Sequence, residues 1–167
     1  MALSNTPSPA HSHPASLVWL RRDLRLHDHA ALSHALQSSK AVWVAFVFDT
    51  TILDPLKDPK QGALEADRRV DFIWQGISQI DAALRKQGGG LIVRYGKPTD
   101  CIPQLAIELG VSCVMVNHDY EPSAMERDAA IAKQLQKNGI AFETFKDQVI
   151  FEKKEVLTNS STVFSVF

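Results

Sequence analysis

Charged and polar side chains are concentrated in three short segments, each directly after an apolar run. The segments read RDLRLHD (residues 22–28), DTTILDP (49–55) and NHDYEPS (117–123). Arginines bind anionic groups through charge-assisted hydrogen bonds, and carboxylates accept hydrogen bonds from polar ligands. Asp119 and Glu121 are two residues apart, so in an extended loop both side chains point the same way. The candidate ligand contacts in these segments are Arg22, Asp49, Asn117, Asp119 and Glu121.

Other chemistry is poorly supported by the residue types. Internal ion pairs that hold a loop are the competing interpretation of the first segment, and they are favoured for Asp23 and Arg25. No spacing indicates a nucleophile with its base. The pairs His11/His13 and His27/His29 have no neighbouring cysteine or acid that completes a ligand set, so no metal site is predicted. The three glycines at 88–90 follow a helical pattern and lack the Lys-Ser/Thr of a phosphate loop, which indicates a turn.

The elements that must position these side chains alternate along the chain. Short β-branched or aromatic runs are separated by stretches of helical period, as in βαβ units. The prediction is an α/β, Rossmann-like five-stranded parallel sheet flanked by helices, with Trp19, Trp43 and Trp74 in the core. In such a sheet, ligands bind beyond the carboxyl ends of the strands where strand order reverses. The three segments meet in one crevice if the first and fourth strands are neighbours. The predicted strands are 17–21, 41–48, 91–95, 113–117 and 140–145.

The predicted helices and loops complete the pattern. Asp28 is the expected N-cap of the first helix, and residues 49–63 are an expected surface loop because they contain two Asp-Pro pairs and Gly62. A long helix is expected from near Leu64 to the glycines at 88–90. Residues 1–16 are predicted to be a disordered leader, 17–145 the α/β domain, and 146–167 the start of an interdomain linker that the chain cuts short.

Length and charge limit the function classes. At roughly 100–200 residues per domain, 167 residues allow one well-cored domain, here expected to be a monomer. Eighteen Lys and Arg against 19 Asp and Glu give a formal net charge of −1, which argues against a self-sufficient nucleic-acid binder. The sequence has two cysteines, no secretion signal and no apolar run of the ~18 residues that span a membrane. These features predict a cytoplasmic protein.

Three blocks of sequence resemble the photolyase/cryptochrome family. They are LVWLRRDLRLHDHAAL (17–32), VNHDYEPSAMERD (116–128) and KDQVIFEKKEVLTNSSTVFSVF (146–167), and they occur in the family's order and separations. The resemblance covers residues 17–167 and implies the N-terminal α/β domain, which holds the light-harvesting antenna chromophore in photolyases. FAD and damaged DNA bind the family's helical domain, so the fragment alone is expected to be catalytically inert. The whole protein is expected to be a deoxyribodipyrimidine photo-lyase, a carbon-carbon lyase acting on cyclobutane pyrimidine dimers.

The resemblance also implies particular ligand residues. Members with a deazaflavin antenna carry an Asn-x-Asp-x-Glu-Pro segment after the fourth strand, matched here by Asn117, Asp119, Glu121 and Pro122. Arginines after the first strand and early in the second long helix also contribute in such members, and Arg22 and Arg69 line up with them. Folate-antenna members have Asn-Glu where this chain has Ser123-Ala124. The sequence therefore favours deazaflavin over methenyltetrahydrofolate.

Two alternatives stay open. The same domain occurs in cryptochrome photoreceptors, which do not repair DNA. A stand-alone nucleotide-binding or interaction domain of similar topology is the alternative from another class, although the acids of residues 117–122 stand where a phosphate would prefer amides and cations.

Overall fold

A five-stranded, all-parallel sheet forms the centre of the computed structural model, which describes residues 11–57, 67–152 and 155–162. The strands are β1 (Ser16–Leu20), β2 (Val42–Asp49), β3 (Ile92–Gly96), β4 (Cys113–Asn117) and β5 (Ala141–Phe145). Their order across the sheet is β3-β2-β1-β4-β5. The predicted fold class is confirmed, and β1 and β4 are neighbours with Ser16 opposite Cys113.

Helices cover both faces of the sheet. They are α1 (Ala30–Ser38), α2 (Thr50–Leu53), α3 (Arg68–Arg85), α4 (Pro98–Glu108) and α5 (Pro122–Lys137), with a 3-10 turn at Pro55–Lys57. Side chains of α1 and α3 pack with Val18, Leu20 and Phe46 on one face. Side chains of α4 and α5 pack with Leu17, Trp19 and Val47 on the other. Every residue of β1 and β4 is buried, as expected for central strands of a parallel sheet covered on both faces. Among the described residues, no helix is both long and apolar enough to cross a membrane.

Several predicted boundaries are corrected by the structure. The N-cap of α1 is His29, whose ring accepts a hydrogen bond from the Leu32 amide, whereas Asp28 lies in the left-handed region with a φ of 50°. Asp67 caps α3, so this helix begins later than predicted, and the expected start near Leu64 lies outside the described residues. Part of the expected loop at 49–63 is instead helical, because Asp49 caps the short helix α2.

The tryptophans differ in burial. Trp19 is buried as predicted, but Trp43 and Trp74 are 42% and 57% exposed. Trp43 lies near the start of β2, where no helix covers it completely, and Trp74 lies on a flank of α3 and stacks on Phe48 at 6.3 Å between ring centroids. The apolar pattern predicted the strand that contains Trp43 and the helix that contains Trp74, but it could not locate the edge of the covering layer.

The segments on either side of the predicted domain contact it. Residues 1–10 lie outside the described residues, but His13 forms a parallel bridge with Ser39, and Ser16 belongs to β1. After β5, the Asp147 carboxylate accepts hydrogen bonds from Arg25 and from the Ala30 amide at 2.9 Å. This contact fastens the beginning of residues 146–167 to the loop after β1.

Candidate functional site at the carboxyl edge of the sheet

An open cavity of about 460 Å³ lies beyond the carboxyl ends of β1 and β2. It reaches the first turns of α4 and α5, close to the β1–β4 boundary where the strand order reverses. This is the position at which doubly wound sheets bind ligands. The volume falls within the roughly 300–1,000 Å³ typical of small-molecule sites. The lining residues fall into an apolar wall and a charged rim.

Aromatic and aliphatic side chains form the apolar wall. Phe46 and Phe48 meet edge to face at 5.1 Å between ring centroids, and both line the cavity with Trp19. The guanidinium carbons of Arg21 and Arg127 lie 5.1 Å and 5.0 Å from the centre of the Trp19 ring. These cation–π contacts hold the indole in place at the cavity surface. Such a wall suits a flat conjugated ring.

The charged rim contains three of the predicted ligand residues. Arg22 pairs with Glu121, and Asp119 lies 3.7 Å from the guanidinium of Arg127. The side chains of Arg22 and Glu121 are 70% and 63% exposed, so solvent screens their ion pair and a ligand can displace it at small cost. Because β4 is adjacent to β1, the two loops that carry these residues meet. The predicted convergence is therefore observed for Arg22, Asp119 and Glu121.

Asp49 also lines the cavity, at the end of β2. Its Oδ1 accepts hydrogen bonds from the amide and the hydroxyl of Thr51, at 2.8 Å and 2.6 Å. These bonds start helix α2, which brings Ile52 and Leu53 to the cavity. The structure thus gives Asp49 a capping contact and a place in the lining.

Asn117 lies at the end of β4 but does not belong to the cavity lining among the described residues. It is buried, its Oδ1 accepts a hydrogen bond from the Ala31 amide at 2.9 Å, and its Nδ2 donates to Asp23 at 2.7 Å. Asp23 also lies 2.9 Å from His29 Nε2. These contacts join β4, the loop after β1 and the first turn of α1. The geometry gives Asn117 a positioning contact.

The same cluster changes the ionisation of Asp23. Burial alone would raise its pKa, but the hydrogen bonds from His29 and the Arg21 amide outweigh burial and lower the pKa from 3.8 to about 2. Asp23 is therefore a carboxylate throughout the physiological range. It serves as the charged centre of a loop, which agrees with the structural role favoured for it from the sequence.

Arg69 is the predicted ligand residue that the structure places apart from the others. It lies in the first turn of α3, 74% exposed at its side chain, and pairs with Asp67 at 2.6 Å. That pair raises the pKa of Arg69 and lowers the pKa of Asp67. Arg69 is one turn before Ile73, which does line the cavity, but it is absent from the lining among the described residues.

Several lining residues were not predicted as ligand contacts from the sequence. Trp19, Phe46 and Phe48 lie in strands that were predicted to be buried in the core. Their position near the carboxyl ends of these strands is the signal that could have distinguished them from ordinary core residues. Others lie in the first two turns of α4 and α5 or at the N-cap of α4, and they contact the cavity only through tertiary packing. These are Lys97, Pro98, Thr99, Ser123, Ala124 and Arg127.

Comparison with known proteins agrees with this fold. The DNA photolyase family model matches residues 16–167. Cryptochrome-2 of Gallus gallus is 33% identical over 95% of this chain and 25% of its own length. The deoxyribodipyrimidine photo-lyase of Halobacterium salinarum is 32% identical over 90% of this chain and 31% of its own length.

A solved structure supports the same family and fold. The photolyase from the archaeon Sulfolobus tokodaii, described with two FAD molecules, superimposes with a TM-score of 0.69 at 28% identity, covering 84% of this chain and 32% of that one. The chain spans between 18% and 52% of the length of the curated relatives it matches. It belongs to the DNA photolyase family and corresponds to the family's N-terminal part.

Proposed function

We propose that this chain is the antenna-chromophore-binding domain of a light-driven DNA photolyase. The observation that carries the proposal is the cavity of about 460 Å³, whose aromatic wall and charged rim match a flat, conjugated chromophore with polar substituents. In this role the domain holds an excited chromophore close to FAD in the rest of the protein. FAD bound there would supply the electron-transfer chemistry for repair of a cyclobutane pyrimidine dimer, with the light energy passed on from the antenna chromophore.

The residues at the cavity suggest how the chromophore is held. Trp19, Phe46 and Phe48 supply surfaces for a ring system, and exclude water from it. Arg22 and Lys97 would neutralise an anionic substituent, while Asp119 and Glu121 accept hydrogen bonds from N–H and O–H groups. Asn117 acts by positioning Asp23 and α1, and Arg69 remains a proposed contact from α3.

Deazaflavin is the favoured chromophore, ahead of methenyltetrahydrofolate. Ser123 and Ala124 both line the cavity at the start of α5, and their small side chains leave space that Asn and Glu would occupy. FAD is a third candidate, because the Sulfolobus tokodaii photolyase is described with two FAD molecules and a novel light-harvesting cofactor.

Chromophore binding is tested by titrating the 167-residue chain separately with a 5-deazaflavin, methenyltetrahydrofolate and FAD, followed by ligand fluorescence. We expect the deazaflavin to bind most tightly. Ser123→Trp should fill the cavity and weaken this binding at least about tenfold, or about 1.4 kcal/mol. Ser123 is exposed on α5, so the substitution spares the core.

Ala129→Trp is the matched control, because Ala129 is exposed on the same helix and does not line the cavity. Its affinity should equal that of the unmodified chain. If the folate or FAD bound more tightly than the deazaflavin, that chromophore would replace deazaflavin as the proposed ligand. If none of the three chromophores bound, or if both tryptophan variants weakened binding equally, the cavity would not be the antenna site.

A cryptochrome photoreceptor is the second candidate, since Cryptochrome-2 matches this chain as well as the photo-lyase does. Expressing the whole protein that contains this chain in cells without photorepair separates the two functions. Survival after ultraviolet irradiation that is restored by blue light supports a photolyase. Survival that does not respond to blue light, despite bound FAD, supports a cryptochrome.

A further inference from the structure

Three side chains with metal-binding atoms meet near the amino ends of β1 and β4, at the edge of the sheet opposite to the cavity. They are His13, Cys113 and Glu143, and their candidate ligand atoms all lie within 4.8 Å of one another. Cys113 is the first residue of β4, Glu143 lies in the middle of β5, and His13 precedes β1. Imidazole, thiol and carboxylate together form a donor set typical of transition-metal sites.

The orientation of His13 leaves one ring nitrogen facing the cluster. Its Nδ1 lies 3.4 Å from the Ser112 hydroxyl, and that hydroxyl donates its own proton to the Ala15 carbonyl at 3.2 Å. When the hydroxyl proton is used in this way, the Ser112 oxygen accepts from Nδ1–H, whereas the other tautomer would reverse this contact. In the neutral imidazole the tautomer protonated at Nδ1 directs the Nε2 lone pair at Glu143 Oε1, 3.4 Å away. In this tautomer the two facing acceptors attract a cation, either a proton on the ring or a metal ion.

The same hydroxyl contact is what metal-binding histidines commonly make. A ligating imidazole usually donates its second N–H to an oxygen atom, which fixes the ring orientation and the tautomer. Here the oxygen belongs to Ser112, the residue directly before Cys113. Ser112 supplies the hydroxyl that orients the imidazole, and the next residue, Cys113, supplies the sulfur.

Burial at the cluster is uneven in a way that suits a bound ion. Cys113 is fully buried, with its sulfur 3.6 Å from the Val114 carbonyl, whereas the His13 and Glu143 side chains are 17% and 42% exposed. The sulfur therefore lies at the inner end and the carboxylate at the outer end, open to solvent. An ion can enter past Glu143 and keep a water molecule as its fourth ligand.

We propose that His13 Nε2, Cys113 Sγ and a Glu143 carboxylate oxygen form a zinc-binding site. Tetrahedral zinc with bonds of roughly 2.0–2.3 Å places its ligand atoms about 3.3–3.6 Å apart, so small side-chain rotations are sufficient. On binding, the Cys113 thiol releases its proton to solvent and a Zn–S bond forms. The thiolate and the carboxylate then balance the two positive charges of the ion. Sulfur and imidazole ligands favour zinc over magnesium or calcium.

The site would fasten the segment before β1 to the β4–β5 edge of the sheet. His13 is 100 residues from Cys113 in the sequence, and only the pairing of β1 with β4 and of β4 with β5 brings the three residues together. This explains why the sequence pattern predicted no metal site. The proposal is independent of chromophore binding, because the cluster and the cavity share no residue.

Cobalt substitution provides the test. The full chain, reduced and free of metal, is titrated with Co²⁺, and a thiolate-to-cobalt charge-transfer band in the near ultraviolet is expected, which one equivalent of Zn²⁺ removes. Cys113→Ser should abolish the band, and Cys101→Ser, which removes the other cysteine, should keep it. Ser112→Ala should weaken zinc binding roughly 10–100-fold through the lost orientation of His13.

Glu143→Gln and His13→Gln address the case in which a change at the buried cysteine disturbs folding. Both side chains are partly exposed, so circular dichroism should be unchanged while zinc affinity falls at least about tenfold. The proposal is overturned if the unmodified chain shows no thiolate band or if the band persists in Cys113→Ser. It is equally overturned if both glutamine variants bind zinc as tightly as the unmodified chain.

Discussion

At the residue scale, a buried polar cluster decides the shape of the loop that reaches the cavity. The His29 ring accepts from the Leu32 amide through Nδ1 at 3.1 Å, so its Nε2–H is available to donate to Asp23. Asn117 then joins Asp23 to α1. Buried polar groups whose hydrogen bonds are all made in this way specify a single arrangement, and loss of one member leaves the others unpaired.

The ionisation of Asp23 makes a pH-dependent contribution to stability. Its folded-state pKa of about 2 lies below the ordinary 3.8, so the contribution is fully present above pH of about 4 and is lost as the pH falls towards 2. The difference corresponds to about 2 kcal/mol. We expect Asp23→Asn to lower the free energy of unfolding by about this amount at pH 7, and by much less at pH 2.

Urea unfolding at a series of pH values measures this effect. Glu126→Gln is the control, because it replaces an exposed carboxylate on α5 by an amide. Its stability should follow that of the unmodified chain at each pH. Equal losses for Asp23→Asn at pH 7 and pH 2 would show that packing, rather than charge, is responsible.

At the scale of elements, α4 and α5 are joined by a contact that compensates for a proline. Pro103 lies inside α4 and has no amide proton for the carbonyl of Thr99, four residues earlier. The Gln134 side chain on α5 donates to that carbonyl at 3.1 Å. The backbone irregularity of one helix is therefore satisfied by its neighbour, close to where Thr99 lines the cavity.

A double-mutant cycle tests this compensation. Gln134→Leu should cost about 1 kcal/mol, because it leaves a partly buried carbonyl unpaired. In the Pro103→Ala background, the alanine amide can bond to the Thr99 carbonyl, so the same change should cost clearly less. The measurement is the free energy of unfolding of all four proteins. Equal costs of Gln134→Leu in both backgrounds would contradict the compensation.

At the scale of the whole molecule, arginines are largely paired within the protein. Arg21 pairs with Asp128, Arg25 with Asp147 and Arg85 with Asp81, in addition to the pairs at the cavity rim. A formal net charge of −1 leaves little excess positive charge to attract phosphates. In the described part of the chain the arginines are mostly engaged by carboxylates, which agrees with a proposal that DNA contacts lie elsewhere in the whole protein.

We therefore expect this chain to have very low affinity for duplex DNA. Fluorescence anisotropy with a labelled duplex at physiological salt should give a dissociation constant weaker than the roughly 10⁻⁴–10⁻⁶ M of ordinary non-specific binding. A duplex that contains a cyclobutane pyrimidine dimer should behave in the same way. Binding of either duplex at micromolar concentration, weakening steeply with added salt, would place a DNA-binding surface on this domain.

Local pattern was sufficient to predict the five strands, the four longer helices and the fold class, but not the short helix α2. The unbroken apolar run of β2 and the three- and four-residue spacing of α3 arise from how each element contacts a covering layer, and such periods are visible in sequence. The loop segments with Arg22, Asp49, Asp119 and Glu121 were identified because polar residues follow buried strands. The family resemblance rested on the same segments.

Long-range pairing decided the rest. Whether Arg22 meets Glu121 depends on β1 lying beside β4, and no local period encodes which strands are neighbours. The same pairing turned Asn117 inward to the Ala31 amide and brought His13 to Cys113. The sequence by itself determined a parallel α/β domain of the photolyase family with polar loops at one edge. Only the tertiary structure decided which polar side chains face the cavity, because that depends on contacts between residues distant in the chain.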